Sequence, residues 1–315
     1  MHKVIPVFDH SHLPNASRMP NWIRQPLAED DRYSHTARAV HGQTLHTVCE
    51  EARCPNRGEC WSAGTATFML LGDTCTRACG FCAVKTGKPD WQDDEEPQRI
   101  ANAVTAMALD YVVLTSVNRD DMADGGAGIY AATVRALREQ RADIGLELLT
   151  PDFYRCQHEA IEIICSTLAS VKSPERTPQM VWGHNVETVP SLYQRVRKGS
   201  DYHRSLSLLQ LAAKQPGIEA KSALMLGLGE TPAEVHAVFE DLRERGVQRL
   251  SLGQYLRPSR YHLPVLRYLE PAEFDDYAEV ARRMGCLLYT SPSPRDLRQD
   301  LVCRLLLEKG GGGGG

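Results

Sequence analysis

Residues 66–82 read ATFMLLGDTCTRACGFC and join a short apolar run to a loop that contains three cysteines. The run Ala66–Leu71 has the length of a strand and is apolar almost throughout, as expected for a strand in a sheet that helices cover. The loop follows without a break and spaces its cysteines as C-x3-C-x2-C, at Cys75, Cys79 and Cys82. We therefore expect these three thiols directly after a buried strand.

From this unit onward, short apolar or β-branched runs alternate with longer stretches of helical period, which is typical of βα units and a parallel sheet. Six strands are expected, at Ala66–Leu71, Tyr111–Thr115, Gly145–Thr150, Gln179–Gly183, Glu219–Gly227 and Gln248–Gln254. Six units predict an α/β fold, an incomplete (β/α)6 TIM-type barrel whose site lies at the carboxyl ends of its strands. An open doubly wound sheet is the alternative.

Two of the intervening helices carry clear start signals. Thr231, Pro232 and Glu234 form a capping-box sequence in which Thr231 caps the Glu234 amide and Pro232 takes the first helical position. A second helix is expected to begin at Pro271. Apolar residues recur at helical spacing in both segments, so each helix is expected to bury one face.

The two ends of the chain differ from the barrel in composition. Residues 1–65 are predicted to form an extension that carries a second group of cysteines, and residues 66–285 to form the barrel. Residues 286–315 contain a turn-like stretch at Thr290–Asp296 and close on six glycines. This tail lacks the local consistency of the rest, and we expect it not to be the native end of the protein.

Composition excludes several classes of protein. Ten cysteines in 315 residues are too few for a disulfide scaffold, and six of them fall between Cys49 and Cys82. The first 20 residues hold no apolar signal-peptide core, so we expect a cytoplasmic protein whose cysteines bind metal or do redox chemistry. Because the longest apolar stretches are of strand length and the net charge is −4, neither a membrane nor nucleic acid is expected as a partner.

The triplet Cys75, Cys79 and Cys82 suits an iron–sulfur cluster with one open iron. A loop this short can direct three thiolates to three corners of a [4Fe–4S] cube, whereas ferredoxin sites use four cysteines and close the coordination. An open iron can bind S-adenosylmethionine through its amino and carboxylate groups, and the spacing resembles the radical SAM signature. A structural zinc site is the alternative, although zinc sites typically repeat C-x2-C pairs.

A second triplet lies upstream, with spacing C-x4-C-x5-C at Cys49, Cys54 and Cys60. This spacing fits neither common zinc fingers nor ferredoxins. Two separate triplets imply two clusters, since one cluster cannot use six cysteines. The alternative is an accessory cluster that only conducts electrons or stabilises the fold.

Several segments together resemble the lipoyl synthase family. They are residues 45–56 (LHTVCEEARCPN), 66–69 (ATFM), 184–188 (HNVET), 227–231 (GLGET) and 253–259 (GQYLRPS), together with the radical SAM triplet. The resemblance extends from about residue 22 to residue 285. It implies a radical SAM sulfurtransferase of lipoate biosynthesis, which inserts two sulfur atoms at C6 and C8 of a protein-bound octanoyl chain.

The resemblance also implies cofactors and partners. The cofactors are S-adenosylmethionine and two [4Fe–4S] clusters, with catalytic roles for Cys75, Cys79 and Cys82 and a second cluster that supplies sulfur. The partners are octanoylated lipoyl-carrier proteins, such as the glycine cleavage H protein or E2 lipoyl domains, and a flavodoxin- or ferredoxin-type reductant. Two other functions remain open: another radical SAM enzyme with an auxiliary cluster, and a non-catalytic iron–sulfur electron carrier.

The candidate contacts to S-adenosylmethionine follow strands of the expected barrel. They are Ser116, Asn185, Glu187, Gly227, Gly229 and Glu230. The glycine segment permits a close backbone approach to adenine, but a buried strand that ends in a turn is an equal reading. The alternative for Asn185 and Glu187 is that they only cap the end of a strand, which would give the same sequence pattern.

Two further features bear on partners and clusters. Arg195, Arg197 and Lys198 form a basic group that could meet an acidic carrier domain, although a solvated helix face is the favoured reading. In the lipoyl synthase family a C-terminal Arg-Ser-Ser-Tyr segment supplies a serine ligand to the auxiliary cluster. No such segment occurs in this sequence, so the fourth ligand of that cluster is unassigned.

Overall fold

A computed structural model describes residues 19–20, 23, 47, 67–90, 92–171 and 179–285, and the backbone of residues 287–294. The strands are β1 (Thr67–Leu70), β2 (Thr74–Cys75), β3 (Lys85–Thr86), β4 (Tyr111–Ser116), β5 (Gly145–Leu149), β6 (Met180–Gly183), β7 (Ile218–Leu226), β8 (Arg249–Gln254) and β9 (Leu287–Pro294). The helices are α1 (Glu96–Ala106), α2 (Ala127–Gln140), α3 (Gln157–Ser170), α4 (Tyr193–Val196), α5 (Tyr202–Ala213), α6 (Pro232–Glu244) and α7 (Pro271–Arg283).

Seven strands form one sheet in the order β1-β4-β5-β6-β7-β8-β9, and every neighbouring pair is parallel. The spatial order follows the chain without a reversal, which is the arrangement of a singly wound barrel. A doubly wound sheet reverses its strand order at a switch point, so that alternative is excluded. The predicted partial TIM-type barrel is confirmed.

The six predicted strands are all present, and each end lies within one residue of its predicted position. Their side chains are almost all buried, which explains why continuous apolar runs located them. The small parallel pair of β2 and β3 was not predicted. It brackets the cysteine loop and closes its base.

The start of α6 matches its sequence signals. The Thr231 side chain accepts a hydrogen bond from the Glu234 amide, and the Glu234 side chain accepts one from the Thr231 amide. The predicted start of α7 at Pro271 is also confirmed. Both helices bury the apolar faces that their spacing predicted, and this burial stabilises the second half of the barrel.

The turn predicted for Thr290–Asp296 is wrong for residues 290–294, because the backbone of 287–294 forms β9. This strand pairs in parallel with β8, with a register shift at Gly253 and Gln254. The edge of β8 offers a row of unpaired backbone donors and acceptors, and an extended segment satisfies them whatever its local turn propensity. Sheet pairing therefore decides the conformation here.

Buried side chains form two main core clusters. One packs the first four strands of the sheet against α1, α2 and α3, with the fully buried Trp182 among them. The other packs β7 and β8 against α5, α6 and α7. No helix in the part of the chain that the structure describes is both long enough and apolar enough to cross a membrane.

Candidate active site

A cavity of about 240 Å³ opens at the carboxyl ends of the barrel strands. Cys75, Cys79 and Cys82 all contribute to its lining, and so do residues that follow β4, β5 and β6. Parallel strands end at the same rim, which brings together residues that are far apart in sequence. The three predicted thiols therefore surround one cavity.

The sulfur of Cys75 lies among backbone donors. The amides of Arg77 and Asn118 lie 3.4 Å and 3.3 Å from its Sγ atom. Asn118 follows β4, so this contact also joins the cysteine loop to the next strand of the sheet.

Cys79 and Cys82 lie in a less polar setting. Burial raises the pKa of the Cys79 thiol to about 11, although Arg197 acts in the opposite direction. Burial likewise raises the pKa of the Cys82 thiol to about 12. Both thiols are neutral near pH 7 in the protein without metal, so a metal or cluster must displace their protons when it binds.

Three segments hold the cysteine loop in place. Besides the strand that precedes it, the Gly80 amide donates to the Val196 carbonyl at 2.9 Å, and the Leu263 amide donates to the Gly80 carbonyl at 3.0 Å. A Cβ atom at Gly80 would lie 2.9 Å from the Leu263 side chain. The loop is thus enclosed by segments that follow β6 and β8.

Further contacts to the loop are made through Arg77, which lies inside it. Its guanidinium bonds two carboxylates, those of Asp120 and Asp152. Asp120 follows β4, and Asp152 follows β5. None of these three residues was predicted from the sequence. The available signal was their placement, since each lies within a few residues of a strand end or of a predicted ligand.

Ser116, Asn185 and Glu187 line the cavity, as their positions after strands predicted. Glu187 has a left-handed backbone, with φ of 68°. Its amide donates to the Ala223 carbonyl, and its own carbonyl accepts from the Met225 amide, each at 2.9 Å. These two bonds to β7 hold the strained backbone in place. Burial raises the pKa of the Glu187 carboxyl, and Arg197 opposes this shift.

Gly227, Gly229 and Glu230 do not line this cavity, whereas the nearby Met225 does. The Glu230 carboxylate accepts hydrogen bonds from the amides of Gly227 at 2.5 Å and Leu228 at 2.9 Å. It therefore closes the turn of its own segment. The structure separates these three predicted contacts from the group formed by Ser116, Asn185 and Glu187.

The interpretation of Arg195, Arg197 and Lys198 as a solvated helix face is wrong, because Arg197 is buried. Only 7 % of Arg197 is exposed, and its Nη1 donates to the Asn185 carbonyl at 2.9 Å and the Tyr193 hydroxyl at 3.0 Å. Its buried Nε atom has no hydrogen-bond partner among the described residues. Arg195 is also engaged, with the Leu228 carbonyl, and Lys198 alone of the three is exposed. Because α4 is a single turn, it cannot present all three residues on one solvated face.

The donor arrangement bears on which metal the site fits. Among the described residues, no three His, Cys, Asp or Glu side chains converge as a single ion requires. A cubane cluster binds each cysteine through a different iron, so it needs thiols spread around a cavity. Cys75, Cys79 and Cys82 all line the cavity, as the ligands of such a cluster would. Cys49, Cys54 and Cys60 lie outside the described residues.

The chain is similar to proteins of known function. The sequence profile of the Radical SAM superfamily matches residues 69–242. A lipoyl synthase from Coxiella burnetii is 48% identical over 283 residues, which cover 89% of this chain and 86% of that protein. Lipoyl synthases from Methylococcus capsulatus and Rubrobacter xylanophilus are 48% and 46% identical, over 85% and 84% of this chain and 80% of each relative.

The fold is also found among solved structures. The crystal structure of Streptococcus suis SuiB bound to S-adenosylmethionine superposes with a TM-score of 0.53. The match covers 77% of this chain and 55% of that chain at 13% identity. At this identity the likeness extends to the fold alone.

Proposed function

Because the chain belongs to the lipoyl synthase family of the radical SAM superfamily, we propose that the cavity at the rim of its barrel is its radical-generating centre. Membership makes the chain a radical SAM sulfurtransferase that uses S-adenosylmethionine and a [4Fe–4S] cluster. It acts on octanoylated carrier proteins. We propose below which residues bind the cluster and which bind S-adenosylmethionine.

Cys75, Cys79 and Cys82 are the ligands of the radical SAM cluster. One observation carries this assignment: all three thiols line one cavity at the carboxyl ends of parallel strands. When bound, the cluster and S-adenosylmethionine supply the one-electron chemistry needed to break an unactivated C–H bond, which no side chain provides. The protein supplies the thiolates, the buried surroundings that exclude water, and the fixed loop.

Residues of neighbouring strands hold S-adenosylmethionine beside the cluster. Ser116, Asn185 and Glu187 face the cavity and offer polar groups for ribose or the methionine amine. Arg197 joins this set, because its buried Nε has a free donor and a carboxylate is the partner that a guanidinium prefers. Gly227, Gly229 and Glu230 do not line the cavity, so their turn would support the adenine side of the site only through the neighbouring Met225, which does line it.

Cys49, Cys54 and Cys60 would hold a second cluster, which would supply the two sulfur atoms inserted at C6 and C8. Its support is the second triplet in the sequence and the family membership of the chain. In this arrangement residues 1–65 form the extension that carries the sulfur source, 66–285 the radical SAM barrel, and 286–315 a tail whose residues 287–294 add β9 to the sheet. The carrier is a glycine cleavage H protein or an E2 lipoyl domain, and the reductant is of flavodoxin or ferredoxin type.

Anaerobic reconstitution with iron and sulfide tests the proposal. We expect about eight irons per chain, and 5′-deoxyadenosine on addition of reductant and S-adenosylmethionine. Cys75→Ala, Cys79→Ala and Cys82→Ala should each abolish 5′-deoxyadenosine formation, because a cube cannot be held by two thiolates. Cys165→Ala is the matched control, since Cys165 is a partly buried cysteine of α3 away from the cavity. Persisting 5′-deoxyadenosine in a triplet variant would contradict the assignment.

The upstream triplet is tested separately. Cys49→Ala, Cys54→Ala and Cys60→Ala should leave 5′-deoxyadenosine formation intact and stop lipoyl formation. Lipoyl product from these variants would exclude a sulfur source at the upstream triplet and favour a radical SAM enzyme with an accessory cluster. Failure of the unmodified chain to cleave S-adenosylmethionine would favour an electron carrier.

A further inference from the structure

We propose that Arg77 is a positioning residue that holds the cysteine loop in its metal-binding conformation before any cluster is present. The inference rests on the proposed role of Cys75, Cys79 and Cys82 and assigns a residue that forms their site. Arg77 lies two residues after Cys75 and two before Cys79. Any movement of its backbone therefore moves both thiols.

The contacts of the Arg77 guanidinium are complete and directional. Its Nε and Nη2 donate to the two oxygens of Asp120, each at 2.7 Å. Its Nη1 and Nη2 donate to the two oxygens of Asp152, at 2.8 Å and 2.7 Å. Nη1 also lies 3.2 Å from the Ser200 hydroxyl. Two bidentate pairs fix the guanidinium in position and in orientation.

These contacts join three successive elements at the rim of the sheet. Asp120 follows β4 and Asp152 follows β5, so Arg77 ties the loop after β1 to the next two strands. The neighbouring Thr76 adds a backbone bond, from its amide to the Asn118 carbonyl at 3.0 Å. These anchoring contacts all join protein groups, and none of them uses the three thiols.

Charge explains why the anchor needs an arginine. The Asp152 side chain is fully buried, and it also accepts a hydrogen bond from Arg204 Nε at 2.8 Å. Without Arg77, Asp120 and Asp152 lose the cation that both of them bind, and two nearby carboxylates repel. A lysine retains the charge, but its compact ammonium cannot span both carboxylates in bidentate geometry.

Alkylation of the cysteines in the full chain without cluster tests the proposal. The rates at Cys75, Cys79 and Cys82 are followed with iodoacetamide by peptide mass spectrometry, and Cys165 is the internal control. Arg77→Gln should raise the three rates by about tenfold or more, because the loop opens locally, and leave the Cys165 rate unchanged. Arg77→Lys should show a smaller increase.

A variant of a second buried arginine distinguishes an effect on the cysteine loop from a general loss of stability. Arg138 is 2% exposed and donates to the carbonyls of Ala142, Ile144 and Gln179, which precede β5 and β6 at the opposite end of the sheet. Arg138→Gln should lower the melting temperature without accelerating alkylation of the cysteine loop. Asp120→Asn provides a milder variant, because the Asp120 side chain is 29% exposed, and should accelerate alkylation in the same direction as Arg77→Gln.

Reconstituted protein gives the second readout. Iron loss to a chelator should be faster in Arg77→Gln and Asp120→Asn than in the unmodified chain and in Arg138→Gln. Unchanged alkylation in both Arg77→Gln and Asp120→Asn would overturn the proposal, whatever the melting temperatures. If the unmodified chain takes up no iron, the proposed function fails instead, and the alkylation rates still decide the role of Arg77.

Discussion

His262 Nε2 lies 3.0 Å from the carbonyl oxygen of Cys82, a contact that spans 180 residues of the chain. A carbonyl only accepts, so Nε2 carries the proton in this bond. In the neutral ring Nδ1 then accepts from the Ser259 hydroxyl, which lies at 2.9 Å. The segment after β8 thus holds the end of the cysteine loop through a defined tautomer.

This contact predicts that His262→Ala weakens cluster retention. Loss of one hydrogen bond of about 1 kcal/mol should raise the rate of iron loss to a chelator by about fivefold. His262→Gln keeps a donor and should restore most of the retention. His158→Ala, at an exposed position on α3, is the control and should match the unmodified chain. Equal iron loss from His262→Ala and His158→Ala would show that the contact does not hold the loop.

Gly227 and Gly199 offer a matched pair for testing a close backbone approach. Both have a left-handed backbone, with φ of 98° and 87°. A Cβ atom at Gly227 would lie 2.3 Å from the Arg267 carbonyl oxygen and 2.4 Å from Gln254 Nε2, whereas at Gly199 it would meet nothing within 4 Å.

Gly199→Ala should therefore cost only the strain of a left-handed alanine, about 1 kcal/mol of unfolding free energy. Gly227→Ala should cost about 3 kcal/mol or more, because backbone and a buried amide must also move. Urea denaturation measures both values. Similar losses in the two variants would mean that the loop after β7 adapts freely.

Lys221 and Glu147 form a buried ion pair across β6. Lys221 Nζ lies 2.6 Å from Glu147 Oε1, and both side chains are 3% exposed. The Tyr111 hydroxyl donates to the other carboxylate oxygen at 2.9 Å. Lys221→Met should lower the unfolding free energy by about 3 to 5 kcal/mol, because it leaves a buried carboxylate without its cation.

The double variant Lys221→Met/Glu147→Gln should recover most of that loss, since it removes the charge as well as its partner. Denaturant unfolding of the single and double variants gives the comparison. A double variant as unstable as Lys221→Met would indicate that the loss of lysine packing, rather than the unpaired charge, causes the effect.

Stability should fall in mild acid because of His184. Its Nδ1 lies 2.8 Å from the Thr150 carbonyl oxygen, and its Nε2 lies 3.0 Å from the Ser205 hydroxyl. Burial lowers the pKa of His184 to about 4, and Arg197 acts in the same direction while Asp152 opposes it. An imidazole of the unfolded chain titrates at about 6.5.

Between about pH 6.5 and 4 the unfolded chain therefore binds more protons than the folded chain, so the free energy of unfolding decreases as the pH falls. Over this whole pH range the free energy of unfolding should decrease by about 3 kcal/mol. His184→Gln removes this titration, and its unfolding free energy should depend less on pH over this window than that of the unmodified chain. His158→Gln is the control. An equal pH dependence in His184→Gln would mean that other groups dominate the acid response.

The barrel was predictable because its strands are buried on both faces. Ala66–Leu71 and Tyr111–Thr115 are recognisable as strands from local apolar runs alone, and the Thr231 capping box from four residues. The cysteine loop was found by spacing. These signals are all short in sequence, and each maps directly onto an element or a site.

The remaining features depend on contacts that no local pattern encodes. Arg197 was interpreted by its charge as a surface residue, yet Tyr193 and the Asn185 carbonyl enclose its guanidinium. Arg77 meets carboxylates 43 and 75 residues away. The strand at 287–294 is set by the open edge of β8 rather than by its own turn residues.

The strands lie in the sheet in the same order as in the sequence, which has a consequence for folding and for cluster loading. Each strand pairs only with strands next to it in the order, so the barrel can grow one βα unit at a time from contacts of modest sequence separation. The bond between His262 and Cys82 closes a much longer loop and costs more chain entropy before it forms. We therefore expect the cysteine loop to be completed last during folding. Iron delivered before that point would find thiols without their enclosing segments, so productive cluster loading belongs after the segment that carries His262 has folded.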